Sequence, residues 1–209
     1  MKSLKTLAAT LIACATINAA SAAVILLEVT PNSAGPVGAN VTFSGFADGP
    51  QAPFTILSGV TLSYNSSTIV QSGSNAEGAA PFPSAPGNEY LSVKAGGLAT
   101  FEFEKSWGTF GFQWGSIDTY NQIKFWNNGS VVGTFTGLDV IPPANGNQGA
   151  GGSAYVVFGG LFDKVELRSF NFNSFEIDNV SVPDAGSSLA LLGIAMLGLA
   201  GFARRRRLA

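Results

Sequence analysis

The sequence predicts an all-β fold, a jelly-roll-like two-sheet sandwich, with an apolar segment at each end of the chain. Residues 23–181 alternate apolar and polar side chains over short runs, separated by clusters of Gly, Pro, Asn and Ser, without helical periodicity. Fifteen of the sixteen Phe residues lie in this region, which is enough bulk to fill a core between two sheets. Its length suits one core, so we expect a single domain.

Eleven or twelve short strands are expected in this domain, a number that suits a sandwich. Their predicted ranges are 24–30, 40–46, 54–64, 68–71, 90–94, 99–104, 110–114, 122–126, 131–136, 154–158, 164–170 and 173–182. Turn residues at 96–97 and 127–130 predict hairpins, and residues 65–66 join a further predicted pair. A long loop rich in Gly, Pro and Asn is expected over 139–153.

The last predicted strand changes phase in its middle. Phe175 and Ile177 occupy odd positions, whereas Val180 and Val182 occupy even ones. A strand with a period of two keeps one buried face only if an extra residue is accommodated between them. We therefore predict a β-bulge next to Asp178, which would redirect its carboxylate.

The amino-terminal segment is typical of a secretory signal peptide over residues 1–22. Lys2 and Lys5 form a positive region, an apolar run follows, and residues 20–22 match the A-x-A cleavage pattern. The Sec translocon and signal peptidase are the expected partners. The alternative is a lipobox ending at Cys14, which would place a lipid on that residue.

The carboxy-terminal segment is typical of a single membrane span. Residues 185–203 are 19 residues without a charge, and a helix of this length spans roughly 28 Å, close to the ~30 Å hydrocarbon thickness. Four basic residues follow directly: Arg204, Arg205, Arg206 and Arg207. By the positive-inside rule this cluster stays in the cytoplasm, so the domain is expected on the outer side of the inner membrane.

A short proline motif, one span and an arginine cluster, in this order, resemble the PEP-CTERM sorting signal of bacterial surface proteins. The motif residues are Val182, Pro183, Asp184, Ala185 and Gly186, similar to the Val-Pro-Asp-Ser-Gly variant with Ala in place of Ser. The resemblance implies that an exosortase, an intramembrane cysteine transpeptidase, cuts near the motif and passes the protein outward. A permanent membrane anchor is the alternative. The block 110–129, with 90–93 and 175–179, also resembles one family of exosortase-dependent surface proteins.

Two absences limit the chemistry of the exported domain. The chain has no His, and its single Cys lies in the signal segment. Catalytic triads that use His, imidazole zinc sites, thiolate sites and disulfides are therefore excluded from the domain. Residues 23–182 contain five basic and twelve acidic residues, a formal net charge of −7, which argues against nucleic-acid binding. We expect no enzymatic activity.

A polar and aromatic cluster at and after strand 110–114 is the candidate glycan site. Its members are Trp114, Asp118, Tyr120, Asn121 and Trp126. Aromatic faces suit sugar rings, and carboxylate and amide groups suit sugar hydroxyls. The alternative is a structural corner with buried aromatic rings and an Asx turn.

Asp178 lies in a stretch that resembles the last strand of jelly-roll carbohydrate-binding modules. In those modules an acidic residue at this place pairs with one on the first strand and holds structural calcium. Glu28 occupies the first predicted strand here, and carbonyl oxygens beside a bulge would help to complete the six to eight oxygen ligands of calcium. The resemblance implies a calcium site at Glu28 and Asp178, and the alternative is two solvated acids.

Together these features predict an exosortase-sorted protein of the cell surface or extracellular matrix, with a structural or adhesive role in the exopolysaccharide layer. A carbohydrate-binding module is the alternative function, and extracellular polysaccharide is the expected partner of both. The third reading is a glycoside hydrolase or lyase, in which Asp118 would pair with Glu102 or Glu104 as acid and base. The sequence gives no reason for those carboxylates to approach each other.

Overall fold

The computed structural model describes residues 23–36, 41–83 and 88–182, which form ten strands and one short helix. The strands are β1 (Ile25–Pro31), β2 (Phe54–Leu57), β3 (Val60–Tyr64), β4 (Thr68–Ser72), β5 (Glu89–Val93), β6 (Leu98–Gly115), β7 (Asn121–Asn127), β8 (Ser130–Thr136), β9 (Ala154–Ser169) and β10 (Phe175–Ser181). Helix α1 (Gly137–Val140) follows β8. None of the helical structure in these ranges could cross a bilayer. The predicted signal peptide with Cys14, residues 183–186, the span and residues 204–207 lie outside them.

The strands form one antiparallel hydrogen-bonded network that is folded into the two predicted layers. Layer one has the order β4-β5-β10-β6-β9-β1, and layer two has the order β2-β3-β6-β9-β7-β8. Strands β6 and β9 belong to both layers because each is long and bent. β6 pairs with β3 through residues 99–103 in layer two and with β10 through residues 111–115 in layer one.

Ring contacts along β6 show how far this strand bends. The ring centroids of Phe101 and Phe110 are 5.1 Å apart, although nine residues of straight strand would separate their backbones by about 30 Å. The register between β6 and β9 shifts on both sides of Trp107. Opposite this bend, Gly160 has a φ of +142°, and an added Cβ would meet Val24 Cα at 2.8 Å, so both conformation and space require glycine.

Aromatic rings fill the space between the layers. The buried rings of the core are those of Phe43, Phe101, Phe103, Trp107, Phe110, Phe112, Trp114, Phe125, Phe158, Phe162 and Phe175. Phe110 is the centre of this set, since its ring centroid lies within 6.4 Å of those of five other Phe residues. The predicted inter-sheet core of Phe side chains is confirmed.

The predicted hairpins differ in their outcome. The β7–β8 hairpin is confirmed, with Asn128 and Gly129 at φ values of +49° and +75°, the conformation that a two-residue hairpin turn requires. The predicted hairpin at 96–97 is wrong, because the two strands that flank this turn do not pair with each other: β5 pairs with β4 and β10 and not with β6. The predicted pairing across 65–66 is wrong for the same reason, since β3 pairs with β2 and β6.

Some predicted elements have other boundaries in the structure. The runs 99–104 and 110–114 are one strand, β6, and the runs 154–158 and 164–170 are one strand, β9. The predicted strand 40–46 contributes only a bridge between Val41 and Val180. The expected loop 139–153 overlaps α1, whose capping box joins Thr136 and Asp139.

The predicted bulge in the last strand is confirmed. Asp178 pairs with Gln113 and Ser181 pairs with Gly111, so β10 has one residue more than β6 over this interval. Asn179 takes a φ of +50° at the bulge. Ile177 and Val180 are both fully buried as a result, on opposite sides of the phase change.

Functional features lie at the two opposite ends of the sandwich. The end that we call the tail end carries the bends of β6 and β9, the β2–β3 turn and the end of β10, where Val182 lies beside Leu57 and Trp107. The end that we call the pocket end carries the connection 116–120, the loop 141–153 and residues 170–174. β10 runs from the pocket end to the tail end, a distance of about 20 Å.

Candidate functional site

A polar pocket of about 310 Å³ lies at the pocket end. It is lined by Asn75, Ala76, Gly78, Ser116, Asp118, Tyr120, Asn145, Gly146, Gln148, Asn173, Ser174 and Glu176. These residues come from four separate connections and from the start of β10, which meet at one end of layer one. Carboxylate, amide and hydroxyl groups dominate this lining, so the pocket suits a polar ligand.

Glu176 forms the floor of the pocket and is only 2% exposed. Its carboxylate accepts hydrogen bonds from Ser116 Oγ at 2.5 Å, Ser174 Oγ at 2.5 Å and the Ala79 N–H at 3.0 Å. Burial raises the pKa of Glu176 to about 7, although the hydrogen bonds from the two Ser hydroxyls act to lower it. This carboxyl group therefore changes its protonation state near neutral pH.

Asp118 and Tyr120 form one wall. Burial raises the pKa of Asp118, and a hydrogen bond with Tyr120 acts in the opposite direction. The Tyr120 hydroxyl also donates to the Asn173 carbonyl oxygen at 2.7 Å, so its single proton has two acceptors within reach. A Cβ on Gly146 would lie 2.6 Å from Asp118 Oδ1, so glycine is required for this close approach.

An aromatic pair extends this wall to the surface. The ring centroids of Tyr120 and Phe172 are 5.4 Å apart, and Phe172 is 62% exposed. An exposed Phe beside a polar pocket offers a flat apolar face next to hydrogen-bonding groups. This combination suits a ligand that has both kinds of surface.

We expect Glu176→Gln to stabilise the domain above pH 7 and to flatten the pH dependence of its free energy of unfolding. The pKa of Glu176 rises from 4.5 to about 7 on folding, so the folded state binds more protons and loses stability as pH rises through this window. The shift corresponds to about 3 kcal/mol. Urea denaturation measures the free energy of unfolding of both proteins at pH 4.5 and pH 8. The difference between Glu176→Gln and the wild type should increase in favour of the variant by about 3 kcal/mol between these pH values.

Glu102→Gln is the matched control, because Glu102 is an exposed carboxylate on a strand of layer two. The free energy of unfolding of this control should change with pH in parallel with that of the wild type. Parallel profiles for the wild type and Glu176→Gln would contradict the assignment of the elevated pKa.

The structure places only two of the five predicted glycan-site residues, Asp118 and Tyr120, in the pocket lining. Trp114 is fully buried and stacks on Phe175 at 4.4 Å, so that part of the prediction is wrong. Asn121 is also buried, and its amide donates to the Ser174 carbonyl at 3.0 Å beneath the pocket.

Trp126 lies far from this pocket, near the tail end of β7. It is half-buried on the outer face of layer two, and Lys164 Nζ lies 4.3 Å from its ring centroid. About six residues of strand separate it from Tyr120, or roughly 20 Å. Trp126 therefore does not share a site with Asp118 and Tyr120.

The predicted calcium pair is not brought together. β9 and β6 lie between β1, which carries Glu28, and β10, which carries Asp178. Glu28 is exposed and accepts from Thr30 Oγ1, whereas Asp178 is buried and accepts from the Asn88 side chain at 2.8 Å. No cluster of three or more acidic side chains suited to a metal occurs among the described residues. These residues do not fit a calcium site.

The predicted catalytic pairs are also separated. Asp118 is at the pocket end, whereas Glu104 lines a cavity at the tail end and Glu102 lies on the outer face of layer two. Neither glutamate can act with Asp118 on one glycosidic bond. Asp118 instead shares its pocket with Glu176.

Sequence reasoning missed Glu176, Ser174 and Phe172 as members of the site. The alternation in β10 places Glu176 on the outer face of the sheet, where the pattern predicts solvent. In the structure Glu176 is covered by the turn at 75–79 and by Ser116, which is sixty residues before it in the chain. The exposure of Phe172 depends on the path of residues 170–174, for which no local pattern is diagnostic.

The described residues thus define an all-β sandwich that has a polar pocket at one end and Val182, the first residue of the sorting motif, at the other. The family model described as VPDSG-CTERM motif matches residues 181–207. No curated protein and no solved structure matches the chain. The predicted PEP-CTERM-like sorting signal is confirmed. The chain is an exported protein that is anchored in the membrane before display and is processed by an exosortase-type enzyme.

Proposed function

We propose that the exported domain has a structural or adhesive role in the exopolysaccharide layer and that it holds polysaccharide at the polar pocket. The observation that carries this proposal is the combination of a polar pocket with the exposed aromatic ring of Phe172 beside it. The sorting signal supports a destination outside the cell. Polysaccharide is the hydroxyl-rich polymer expected there.

The rim of the pocket supplies groups that match sugar hydroxyls. Asn145 and Gln148 line the pocket and are exposed, whereas the amides of the other two rim residues, Asn75 and Asn173, already make hydrogen bonds within the protein. An amide both donates and accepts hydrogen bonds, and a sugar hydroxyl does the same. The ring of Phe172 adds an apolar surface against which the face of a sugar ring can pack.

We also propose that this role is not catalytic. A glycoside hydrolase needs two carboxyl groups that flank the scissile bond, one of which reaches the leaving oxygen. Both Glu176 oxygens already accept hydrogen bonds from Ser116, Ser174 and Ala79, and the side chain is almost completely buried. This arrangement supports a carboxyl group that shapes the pocket and does not reach a substrate.

Affinity electrophoresis of residues 23–182 in gels that contain the exopolysaccharide of the producing cells tests the proposal. We expect the wild type to be retarded. Replacing Phe172 and Asn145 by Ala should weaken the apparent affinity roughly tenfold, equivalent to about 1.4 kcal/mol. Both side chains are exposed or at the pocket rim, so the fold should be unaffected.

Phe170→Ala is the matched control, because Phe170 is 48% exposed and lies two residues from Phe172, but only the ring of Phe172 packs against the pocket residue Tyr120. Its migration should equal that of the wild type. Unretarded migration of the wild type in the exopolysaccharide gel would overturn the proposal.

The second candidate is a carbohydrate-binding module in the strict sense. The small volume of the pocket, about 310 Å³, favours a short ligand over a long groove-bound chain. Competition by short soluble oligosaccharides as effective as that of the polymer would favour this candidate. Competition by the polymer alone would favour the adhesive role.

A further inference from the structure

The sorting motif begins inside the folded core. Val182, its first residue, is 1% exposed and packs in the hydrophobic core. Val180 exchanges two backbone hydrogen bonds with Val41, at 2.8 and 3.0 Å, and Ser181 pairs with Gly111. The fold therefore fixes the chain up to the motif and leaves no linker before it.

Very little chain separates this fixed point from the predicted span. Only Pro183 and Asp184 lie between Val182 and residue 185, where the charge-free segment begins. Three consecutive residue steps reach at most about 10 Å even when fully extended. The polar headgroup region of one leaflet is itself about 5–7 Å thick. Val182 must therefore lie at or just above the headgroups while the span is in the membrane.

We infer that the tail end of the sandwich stands against the outer surface of the membrane in the anchored precursor. The residues that meet the headgroups are the accessible ones around Val182, namely Leu57, Ser58, Gly59, Glu104 and Lys105. The partner is the lipid headgroup layer of the same bilayer that holds the tail. This inference does not depend on the ligand of the polar pocket.

The composition of the tail end suits this position. Lys105 is exposed, and its Nζ lies 5.6 Å from the ring centroid of Trp107, which is itself buried in the core, so a long basic side chain lies at the surface of this end. Long basic side chains are favoured at membrane interfaces, because the apolar stem packs against apolar surface while the charged end stays in water. Leu57 and the exposed Ser58 complete the surface with one apolar and one small polar group.

The polar pocket then faces away from the membrane. Glu176 at the pocket floor and Ser181 at the tail end are on the same strand, β10. The pocket therefore stands about 20 Å above the end that contacts the headgroups. The anchored precursor would already present the pocket to the medium before it is released.

Depth-dependent fluorescence quenching of the full chain tests this inference. The mature domain contains no cysteine, so single cysteines can be introduced by Ser58→Cys at the tail end and Gln148→Cys at the pocket end, with Cys14→Ser in both. Each protein is labelled with a fluorophore in vesicles of phosphatidylethanolamine and phosphatidylglycerol that carry a headgroup quencher. We expect strong quenching at position 58 and at least fivefold weaker quenching at position 148.

An insertion provides the matched control. A Gly-Ser linker of roughly 12 residues between Val182 and Pro183 adds about 20 Å of reach and leaves the core contacts of Val182 in place. We expect it to abolish most of the quenching at position 58. Equal quenching at positions 58 and 148, or undiminished quenching at position 58 after insertion, would overturn the inference.

Discussion

Truncation after Val182 is expected to move the folded domain completely from the membrane fraction to the soluble exported fraction. The removed segment contains eight large apolar side chains within residues 185–203. Transfer of each of these side chains from water into the bilayer contributes about 1.5–3 kcal/mol, so the segment should hold essentially all of the protein in the membrane. Immunoblots of fractionated cells that lack exosortase would measure the change. Val182 is kept because it belongs to the core.

Replacement of Arg204–207 by Ser is the control for this experiment. It removes the positive charge and leaves the apolar segment intact. We expect this variant to remain in the membrane fraction, because retention depends on the apolar residues while the arginines fix orientation. A truncated chain that stayed in the membrane fraction as fully as the wild type would contradict the role of the tail.

Phe110→Ala is expected to lower the free energy of unfolding of the domain by about 3–5 kcal/mol. Phe110 is fully buried, and its ring packs against Phe rings from both halves of β6 and from β7 and β9. The substitution would leave a cavity where the two layers meet. Thermal unfolding should show a decrease of roughly 10 °C in Tm for a domain of this size.

Phe170→Ala, the same change on a half-exposed side chain, should alter stability by less than about 1 kcal/mol. A double-mutant cycle of Phe101→Ala and Phe110→Ala adds a test of the bend. The two rings are in contact, so the two losses should not be additive. Strict additivity would mean that the two halves of β6 do not face each other.

Local sequence patterns predicted the features that depend on neighbours in the chain. The bulge at Asn179 follows from a change of parity that is visible in the sequence. The β7–β8 hairpin follows from its turn residues. Trp114 has the same parity as the buried Phe110 and Phe112, a signal that the glycan-site prediction did not use.

Features that depend on distant contacts could not be predicted in this way. The predicted turn at Gly96 is present in the structure. The strand before it, β5, pairs with β10, which lies some eighty residues later in the chain, so the turn alone does not determine the pairing. The interruption near Lys105 and Ser106 reads as a loop, although β6 continues through it as a bend. Glu176 is buried by segments that are remote in sequence, so no local sequence pattern predicts that its pKa is raised.

The bent strands β6 and β9 also determine how the domain withstands proteolysis outside the cell. Each strand is a continuous piece of chain in both layers, so neither layer can separate while the other stays folded. We therefore expect partial opening, which exposes backbone to extracellular proteases, to occur in the connecting loops and edge strands before β6 and β9. A domain without disulfides therefore has its two layers joined by continuous backbone, and loosening either of these two strands would disturb both layers together.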